Sequence, residues 1–330
     1  MASEWRLIGH EWAVRLLSGQ INSNNLRHAY AFLGPDGVGR RTLALRFAQA
    51  LNCKKTPSPG EFCGECRTCR GIARLQHEDL FVVAREESDR EIKIDALREM
   101  SHALALSPYD AKHQIALLLD FEDASEEAAN ALLKTLEEPN PSVVLILTAQ
   151  ESDSLPATVV SRCEVLRLRP VQFERVAAGL SDQFSLPQEE ARLLASISDG
   201  RPGIAIQMVE QPRQLEQRRR WLEEGRQLLS SNRVERFAYA GKISKDREEL
   251  RNLFLVWLSF WRDAMRGSAG THAPFMNPDH KSQIDDLTNR ISPHKIYDMV
   301  SLLETTLEKL KTNVNIRLLT EMLLLRMPSL

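Results

Sequence analysis

The chain has 330 residues, of which 43% are hydrophobic and 27% charged, and its formal net charge is −2. This length and apolar content predict a soluble globular protein of two to three domains with a substantial core. The sequence lacks an apolar run of about 18 residues, which excludes a membrane span. Its first residues carry no targeting signal, so we expect a cytoplasmic protein. The near-neutral charge gives no indication of nucleic-acid binding, although local basic patches are possible.

Residues 1–168 alternate short apolar runs with helical patterns, which predicts an α/β fold with a parallel sheet covered by helices. Residues 115–119 are continuously apolar, as expected for a strand that is buried on both faces. Ser125 is in position to cap the helix that follows it, and Pro139 ends that helix. The predicted strands are 29–33, 80–83, 114–119, 143–147 and 164–168, and the predicted helices are 41–52, 94–105 and 125–138.

From Pro170 onward the pattern is helical. Short helices are predicted from 171 to about 208, with a break at 199–203. Longer helices are predicted from about 212 to the end, with a loop at 267–278. The arginines at 218–220 are predicted to lie on a solvated helix face, and a DNA-binding stripe is the alternative.

The segment from Gly34 to Gly39 follows a predicted strand and opens a helix, which is the setting of a phosphate-binding P-loop. A working P-loop places Lys and then Ser or Thr after its last glycine, for the terminal phosphates and for magnesium. Here those positions hold Arg40 and Arg41. Arg40 keeps the charge but is bulkier than Lys, and Arg41 cannot bind a cation. Thr42 lies one residue too late, because one residue turns a helix by about 100°. We therefore predict a degenerate site that holds no nucleotide.

The acidic motif after the strand at 115–119 is altered as well. Asp120 stands where a nucleotide hydrolase of the P-loop class holds its magnesium ion, but Phe121 replaces the Glu that orients the attacking water. Glu122 is offset by one residue and would point to the other face if the strand continued. A simple strand-end role for Asp120 is the alternative.

Four of the five cysteines cluster within 17 residues as Cys53, Cys63, Cys66 and Cys69. Four thiolates at this spacing match the ligand set of a structural zinc ion with no open coordination position. A redox Cys-x-x-Cys pair and an iron–sulfur cluster are the alternatives. Cys163 stands alone and is predicted to be a small core residue.

Four segments carry a family resemblance. Residues 124–139 (ASEEAANALLKTLEEP) and 155–163 (LPATVVSRC) resemble the bacterial clamp-loader subunits of DNA polymerase III, the delta-prime and tau/gamma proteins. The segments 28–30 and 315–318 also fit. The resemblance covers essentially the whole chain and is most specific for residues 28–170. It implies a RecA-like AAA+ fold, with the cysteine cluster as a zinc module inserted after the P-loop helix.

The same resemblance assigns roles to individual residues. It implies that Arg162, in the Ser-Arg-Cys motif, is an arginine finger, whereas a surface salt bridge is its alternative. Gly203 takes the place where motor subunits present a sensor 2 arginine, and the sensor 1 region 148–150 is altered. Four elements of ATP chemistry fail while Arg162 is kept, a pattern that resembles the delta-prime stator and predicts no ATPase activity of its own.

We therefore predict three domains: an AAA+ domain at 1–168 with zinc module 53–69, a helical lid at 169–210 and a helical collar at 211–330. The resemblance implies tau/gamma and delta subunits as partners, ATP only on a neighbouring subunit, and contact with the beta clamp and primed DNA through the complex. The rival hypotheses are an ATP-binding tau/gamma-like motor and a zinc-dependent nucleic-acid-binding module.

Overall fold

The computed structural model describes residues 5–86, 89, 91–244, 246–271 and 274–329, which divide into two compact units. The first unit contains the chain up to Gly179 together with Gly200–Ile204, and the second contains Leu180–Asp199 and the chain from Ala205 onward. The division into three domains at 168 and 210 stays a prediction.

The strands of the first unit are Ala29–Leu33 (β1), Leu80–Val83 (β2), Gln114–Leu118 (β3), Val143–Ala149 (β4) and Glu164–Arg167 (β5). Its helices are Glu11–Asn22 (α1), Arg40–Asn52 (α2), Arg67–Ala73 (α3), Ile94–Leu104 (α4), Glu126–Glu137 (α5) and Ala157–Val160 (α6). Within the described residues the five strands form one sheet in the order β2-β3-β4-β1-β5, and every pairing is parallel. The predicted parallel α/β architecture is confirmed.

Helices cover the sheet on both faces. Successive side chains of a strand point to opposite sides, so each strand contributes to two cores. On β1, Tyr30 and Phe32 enter the core that α1 and α2 cover, whereas Ala31 and Leu33 enter the core under α4 and α5. Ser125 caps α5 as predicted, since its hydroxyl accepts a hydrogen bond from the Ala128 N–H.

The remaining helices are Phe173–Phe184 (α7), Gln188–Ile197 (α8), Pro202–Glu210 (α9), Pro212–Ser230 (α10), Arg233–Ile243 (α11), Arg247–Ser268 (α12), Lys281–Arg290 (α13), Pro293–Leu310 (α14) and Ile316–Arg326 (α15). The boundary between the units falls inside α7 and α9. In the second unit α12 packs against α10, α13 and α14, and its Phe254, Trp257 and Trp261 fill the core. The helical C-terminal region is thus confirmed. In the part of the chain that the structure describes, no helix is both long and apolar enough to cross a membrane.

The prediction of a solvated arginine face on α10 is wrong for Arg218. Its side chain is buried and donates two hydrogen bonds to the carboxylate of Asp279, at 2.8 and 3.0 Å, and one of 2.6 Å to Asn277 Oδ1. Arg219 and Arg220 are exposed, as expected. The three arginines differ in burial because adjacent helical residues point in directions about 100° apart. The run of identical residues in the sequence does not reveal which of them is buried.

Candidate functional site

The glycine-rich loop leaves β1 and enters α2, so it lies at the carboxyl edge of the sheet, where parallel α/β proteins bind ligands. Three of its glycines have positive φ: Gly34 at 152°, Gly37 at 78° and Gly39 at 116°. A Cβ on Gly34 would lie 2.3 Å from the Leu168 carbonyl oxygen. The loop therefore has the backbone of a P-loop, and only glycine fits its first position.

Arg40, the first residue of α2, fills the acidic end of this site. Its side chain is only 7% exposed, and its Nη2 donates to Asp36 Oδ1 at 2.7 Å and to Asp120 Oδ1 at 2.9 Å. Its Nη1 lies 3.9 Å from Glu122 Oε1. The cation that the sequence puts in place of the P-loop lysine thus neutralises the carboxylates that would otherwise face a magnesium ion.

The acidic residues around Arg40 are held by their own contacts. Asp120 follows β3 with a left-handed φ of 48°, and its N–H donates to Thr148 Oγ1 at 2.9 Å. Burial raises the pKa of Asp120 and of Glu122, and the charge of Arg40 opposes that rise. The Gln150 N–H donates to Glu122 Oε1 at 3.1 Å. Sequence analysis gave no signal that Glu122 and Gln150 meet beside Arg40 and Asp36, because these residues come from separate segments of the chain.

The other altered positions lie where they cannot supply the missing chemistry. Arg41 and Thr42 are exposed on the first turn of α2. Phe121 is 2% exposed and belongs to the core beneath α4 and α5. The strand ends at Leu118, and the Asp120 backbone turns the chain, so Glu122 does not follow the alternation of a continued strand. It points toward Arg40 instead.

Gly203, the second residue of α9, lies directly on the glycine-rich loop. Its N–H donates to the Gly37 carbonyl oxygen at 2.8 Å. A Cβ on Gly203 would lie 2.8 Å from that oxygen and 3.2 Å from the Gly37 Cα. The backbones of Gly203 and Gly37 are in contact. A side chain larger than that of glycine at position 203 would therefore require the loop to move.

Arg162 lies near the amino ends of the parallel strands, whereas Arg40 lies near their carboxyl ends. It precedes β5, and β5 runs parallel to β1 with Tyr30 beside Glu164 and Leu33 beside Arg167. The glycine-rich loop begins after Leu33, so at least three strand residues, about 10 Å, separate the two positions along the sheet. Arg162 is therefore separated from the glycine-rich loop of its own chain by most of the length of β5.

The Arg162 side chain makes three hydrogen bonds within its own chain, the longest of them from Nη1 to Ser161 Oγ at 3.5 Å. Its Nη2 donates to Glu137 Oε1 at 2.7 Å, and its Nη1 donates to the Thr158 carbonyl oxygen at 2.9 Å. The side chains of Arg162 and Glu137 are 35% and 53% exposed. The surface salt bridge that was the alternative for Arg162 is thus present, and sequence analysis gave no signal for Glu137 as its partner.

The four clustered cysteines converge on one point. Their sulfur atoms all lie within 4.8 Å of one another, and the Sγ atoms of Cys53 and Cys63 are 3.6 Å apart. A zinc ion with four bonds of about 2.3 Å needs sulfurs about 3.8 Å apart, whereas a disulfide needs about 2.05 Å. The cluster therefore fits a tetrahedral metal ion and is not disulfide-bonded.

Backbone N–H groups donate to sulfur atoms of the cluster. The Cys66 N–H donates to Cys63 Sγ at 3.3 Å, and the Cys69 N–H donates to Cys66 Sγ at 3.4 Å. Burial acts to raise the pKa of Cys63, but N–H donors and neighbouring sulfurs outweigh it and lower this pKa to about 6. Burial raises the pKa of Cys53 and of Cys69. Burial raises the pKa of Cys163, which packs against the core and has no such donors.

The loop between Cys53 and Cys63 is also fixed by contacts that need no metal. Gly60 adopts a positive φ of 79°, and its carbonyl oxygen accepts hydrogen bonds from Trp5 Nε1 and Ser18 Oγ, both at 3.1 Å. Phe62 packs against the core on the α1 side of the sheet. These hydrogen bonds and apolar contacts therefore attach the cysteine module to the rest of the first unit, in addition to any bonds from its sulfurs to a metal ion.

A parallel α/β unit with a glycine-rich loop between its first strand and the next helix defines a P-loop fold, and here Arg40 pairs with the acidic residues beside that loop. Two family models match the chain: DNA polymerase III, delta subunit, over residues 9–172, and DNA polymerase III, delta subunit, C terminal, over residues 212–328. The chain belongs to this family.

Curated relatives agree with the family models. DNA polymerase III subunit delta' of Pseudomonas aeruginosa is 35% identical over 180 residues, which are 53% of each chain. Delta' of Bacillus subtilis is 31% identical over 202 residues, 60% of each chain. Subunit tau/gamma of Haemophilus influenzae is 30% identical over 224 residues, 64% of this chain and 32% of that protein. The chain thus matches about half of the delta' relatives and a third of tau/gamma.

Among solved structures, a DNA polymerase III gamma subunit-related protein from Thermotoga maritima aligns with 94% of this chain and 97% of its own. The identity is 18% and the TM-score 0.47, a likeness too distant to argue from.

Proposed function

We propose that this chain is a non-hydrolysing stator subunit of a bacterial DNA polymerase III clamp loader, built on an AAA+ module. Its relatives carry the names delta' and tau/gamma, and the proposal places it with the delta' type. The observation that carries the proposal is the ion pair of Arg40 with Asp120. A nucleotide hydrolase needs that carboxylate for magnesium, and here an internal cation occupies it.

The rest of the site supports the same conclusion. Arg41 offers no hydroxyl for a metal ion, and Phe121 is buried in the core instead of orienting water. Gly203 brings no charge to the glycine-rich loop. ATP hydrolysis needs the metal, the lysine and a water-orienting group together, so the loss of all three argues against a tau/gamma-like motor.

Arg162 is the residue that the proposed stator would contribute to catalysis. Its distance from the subunit's own glycine-rich loop supports action on the ATP of a neighbouring tau/gamma subunit. A planar, permanently charged guanidinium can stabilise the negative charge that develops on a transferred phosphoryl group. The exposed pair with Glu137 would have to open for this, and exposed ion pairs are weak.

The cysteine cluster would hold a structural zinc ion through Cys53, Cys63, Cys66 and Cys69. Zinc bound by four thiolates has no open position for catalysis, so its contribution would be to order the module. Delta and tau/gamma subunits are the proposed direct partners, and the beta clamp and primed DNA are contacted through the complex.

Two experiments test the proposal. Equilibrium binding of labelled ATP to the free chain separates it from the motor: micromolar, magnesium-dependent binding would reject the stator. Reconstitution with tau/gamma and delta, the clamp and primed DNA then tests Arg162. Arg162→Ala should leave assembly intact and lower ATP turnover at the adjoining tau/gamma subunit by about 10³-fold or more, the scale of arginine fingers supplied in trans. Unchanged turnover would reject the role.

DNA binding by the free chain tests the zinc-dependent nucleic-acid-binding module. That rival predicts salt-sensitive binding that disappears in Cys66→Ser, because phosphate contacts release counterions. The stator predicts that the free chain shows no such binding.

A further inference from the structure

Glu137 and Arg162 form a partly exposed ion pair at the end of α5. Glu137 is the last residue of α5, and a helix C-terminus carries partial negative charge that disfavours an acidic side chain. Arg162 Nη2 compensates it at 2.7 Å. The pair therefore neutralises the one positive charge that the proposed function requires to face another subunit.

The contact also fixes the direction of the guanidinium. Nη1 is tied to the Thr158 carbonyl oxygen at 2.9 Å and Nη2 to Glu137, so the side chain is folded back on its own subunit. Both side chains are partly exposed, so water and salt screen their attraction. A terminal phosphate offers more negative charge and more acceptor oxygens than one carboxylate, and it can displace the carboxylate.

We propose that Glu137 is a positioning residue that competes with the phosphate of the neighbouring subunit for Arg162. This inference rests on the proposed function. The ion pair keeps the Arg162 guanidinium on its own subunit until ATP is bound at the neighbouring subunit. Loss of the negative charge at position 137 removes this competition. Arg162 then binds the phosphate more readily, and the neighbouring site reaches half of its maximal turnover at a lower ATP concentration.

The experiment is ATP turnover of the reconstituted complex with Glu137→Gln. This variant keeps the shape of the side chain and its acceptor oxygen but removes the charge. We expect KM for ATP to fall two- to fivefold, the range of an exposed ion pair, and the effect to shrink as salt rises. The conservative variant Glu137→Asp should return part of the wild-type KM. Glu138→Gln, at the adjacent exposed position, is the matched control.

The Arg162 variants separate the two hypotheses. If Arg162→Ala lowers turnover and Arg162→Ala/Glu137→Gln behaves like Arg162→Ala, Glu137 acts through the arginine. If Arg162→Ala lowers turnover but Glu137→Gln resembles Glu138→Gln, or raises KM, the competition is rejected and the proposed function stands. If Arg162→Ala has no effect, both fall. Assembly of each variant is checked by size-exclusion chromatography.

Discussion

Arg40 and Asp120, which are 80 residues apart in the chain, are joined by a 2.9 Å ion pair at the carboxyl edge of the sheet. Arg40 opens α2, and Asp120 lies just after the end of β3. The arginine at position 40 therefore pairs with the carboxylate that the proposed function takes to be the former magnesium ligand. The charges of these residues hold the pocket in shape.

Removal of Arg40 should destabilise the first unit. Arg40→Ala leaves Asp36, Asp120 and Glu122 close together without their cation. We expect a loss of about 1–2 kcal/mol in the free energy of unfolding at neutral pH, less than for a fully buried pair because the aspartates are half exposed. Burial already raises the pKa of Asp120 and Glu122, so acidification should relieve the loss by protonating them. Urea denaturation at pH 7 and pH 5 measures both effects. Arg41→Ala, an exposed neighbour, should change little.

Restoring a glutamate at the position after Asp120 should fail. Phe121 is 2% exposed in the core beneath α4 and α5. Phe121→Glu would bury an unpaired charge, and we expect it to cost at least about 3 kcal/mol and to yield no ATPase. Phe121→Leu is the control and should cost less. A folded Phe121→Glu chain with wild-type stability would contradict the burial of this position.

Metal content tests the cysteine cluster. Purified protein should contain one zinc ion per chain by mass spectrometry, and Cys66→Ser should lose it. Cys163→Ser is the matched control and should keep it, because Cys163 lies against the other core. Since Gly60 is also held by Trp5 and Ser18, zinc removal should increase hydrogen exchange within 53–69 while the sheet stays protected. Full metal content in Cys66→Ser would be inconsistent with a four-cysteine site.

The buried pair in the second unit gives the clearest stability prediction. Arg218→Ala leaves Asp279 and Asn277 without their donor, and we expect a loss of about 3 kcal/mol in the free energy of unfolding. Arg219→Ala, next to it but exposed, should stay within about 0.5 kcal/mol. Guanidinium denaturation followed by tryptophan fluorescence compares them. Equal stability of the two variants would contradict the buried arrangement.

Asp279 predicts a pH dependence for the same unit. Burial would raise the pKa of its carboxyl, but the hydrogen bonds and charge of Arg218 hold it below the ordinary value. A lowered folded-state pKa means that the stabilisation is fully present above the unfolded-state value of about 3.9 and is lost as the pH falls through the folded-state pKa. Denaturation curves from about pH 5 to about pH 2 should therefore show a loss from this carboxyl that is absent in Asp279→Asn.

The amino-acid sequence by itself determined the strands and the chemistry that is missing. Residues 29–33 and 80–83 form strands at the predicted bounds, because short continuous apolar runs suit strands that are buried on both faces of a sheet. Arg41 and Phe121 exclude their catalytic roles by residue type alone. The spacing of the cysteines predicted their convergence, since a metal site depends on a few ligands that are close in the chain.

Only the tertiary structure decided which charges meet. Arg40 reaches Asp120 and Glu122, and Arg162 reaches Glu137, across segments that the sheet order brings together. Arg218 is buried although its two neighbours are exposed. Periodicity identifies the face of a helix, but it does not show which element covers that face. The partner of a charged side chain is therefore fixed by contacts between distant segments, where the attraction depends on distance and burial.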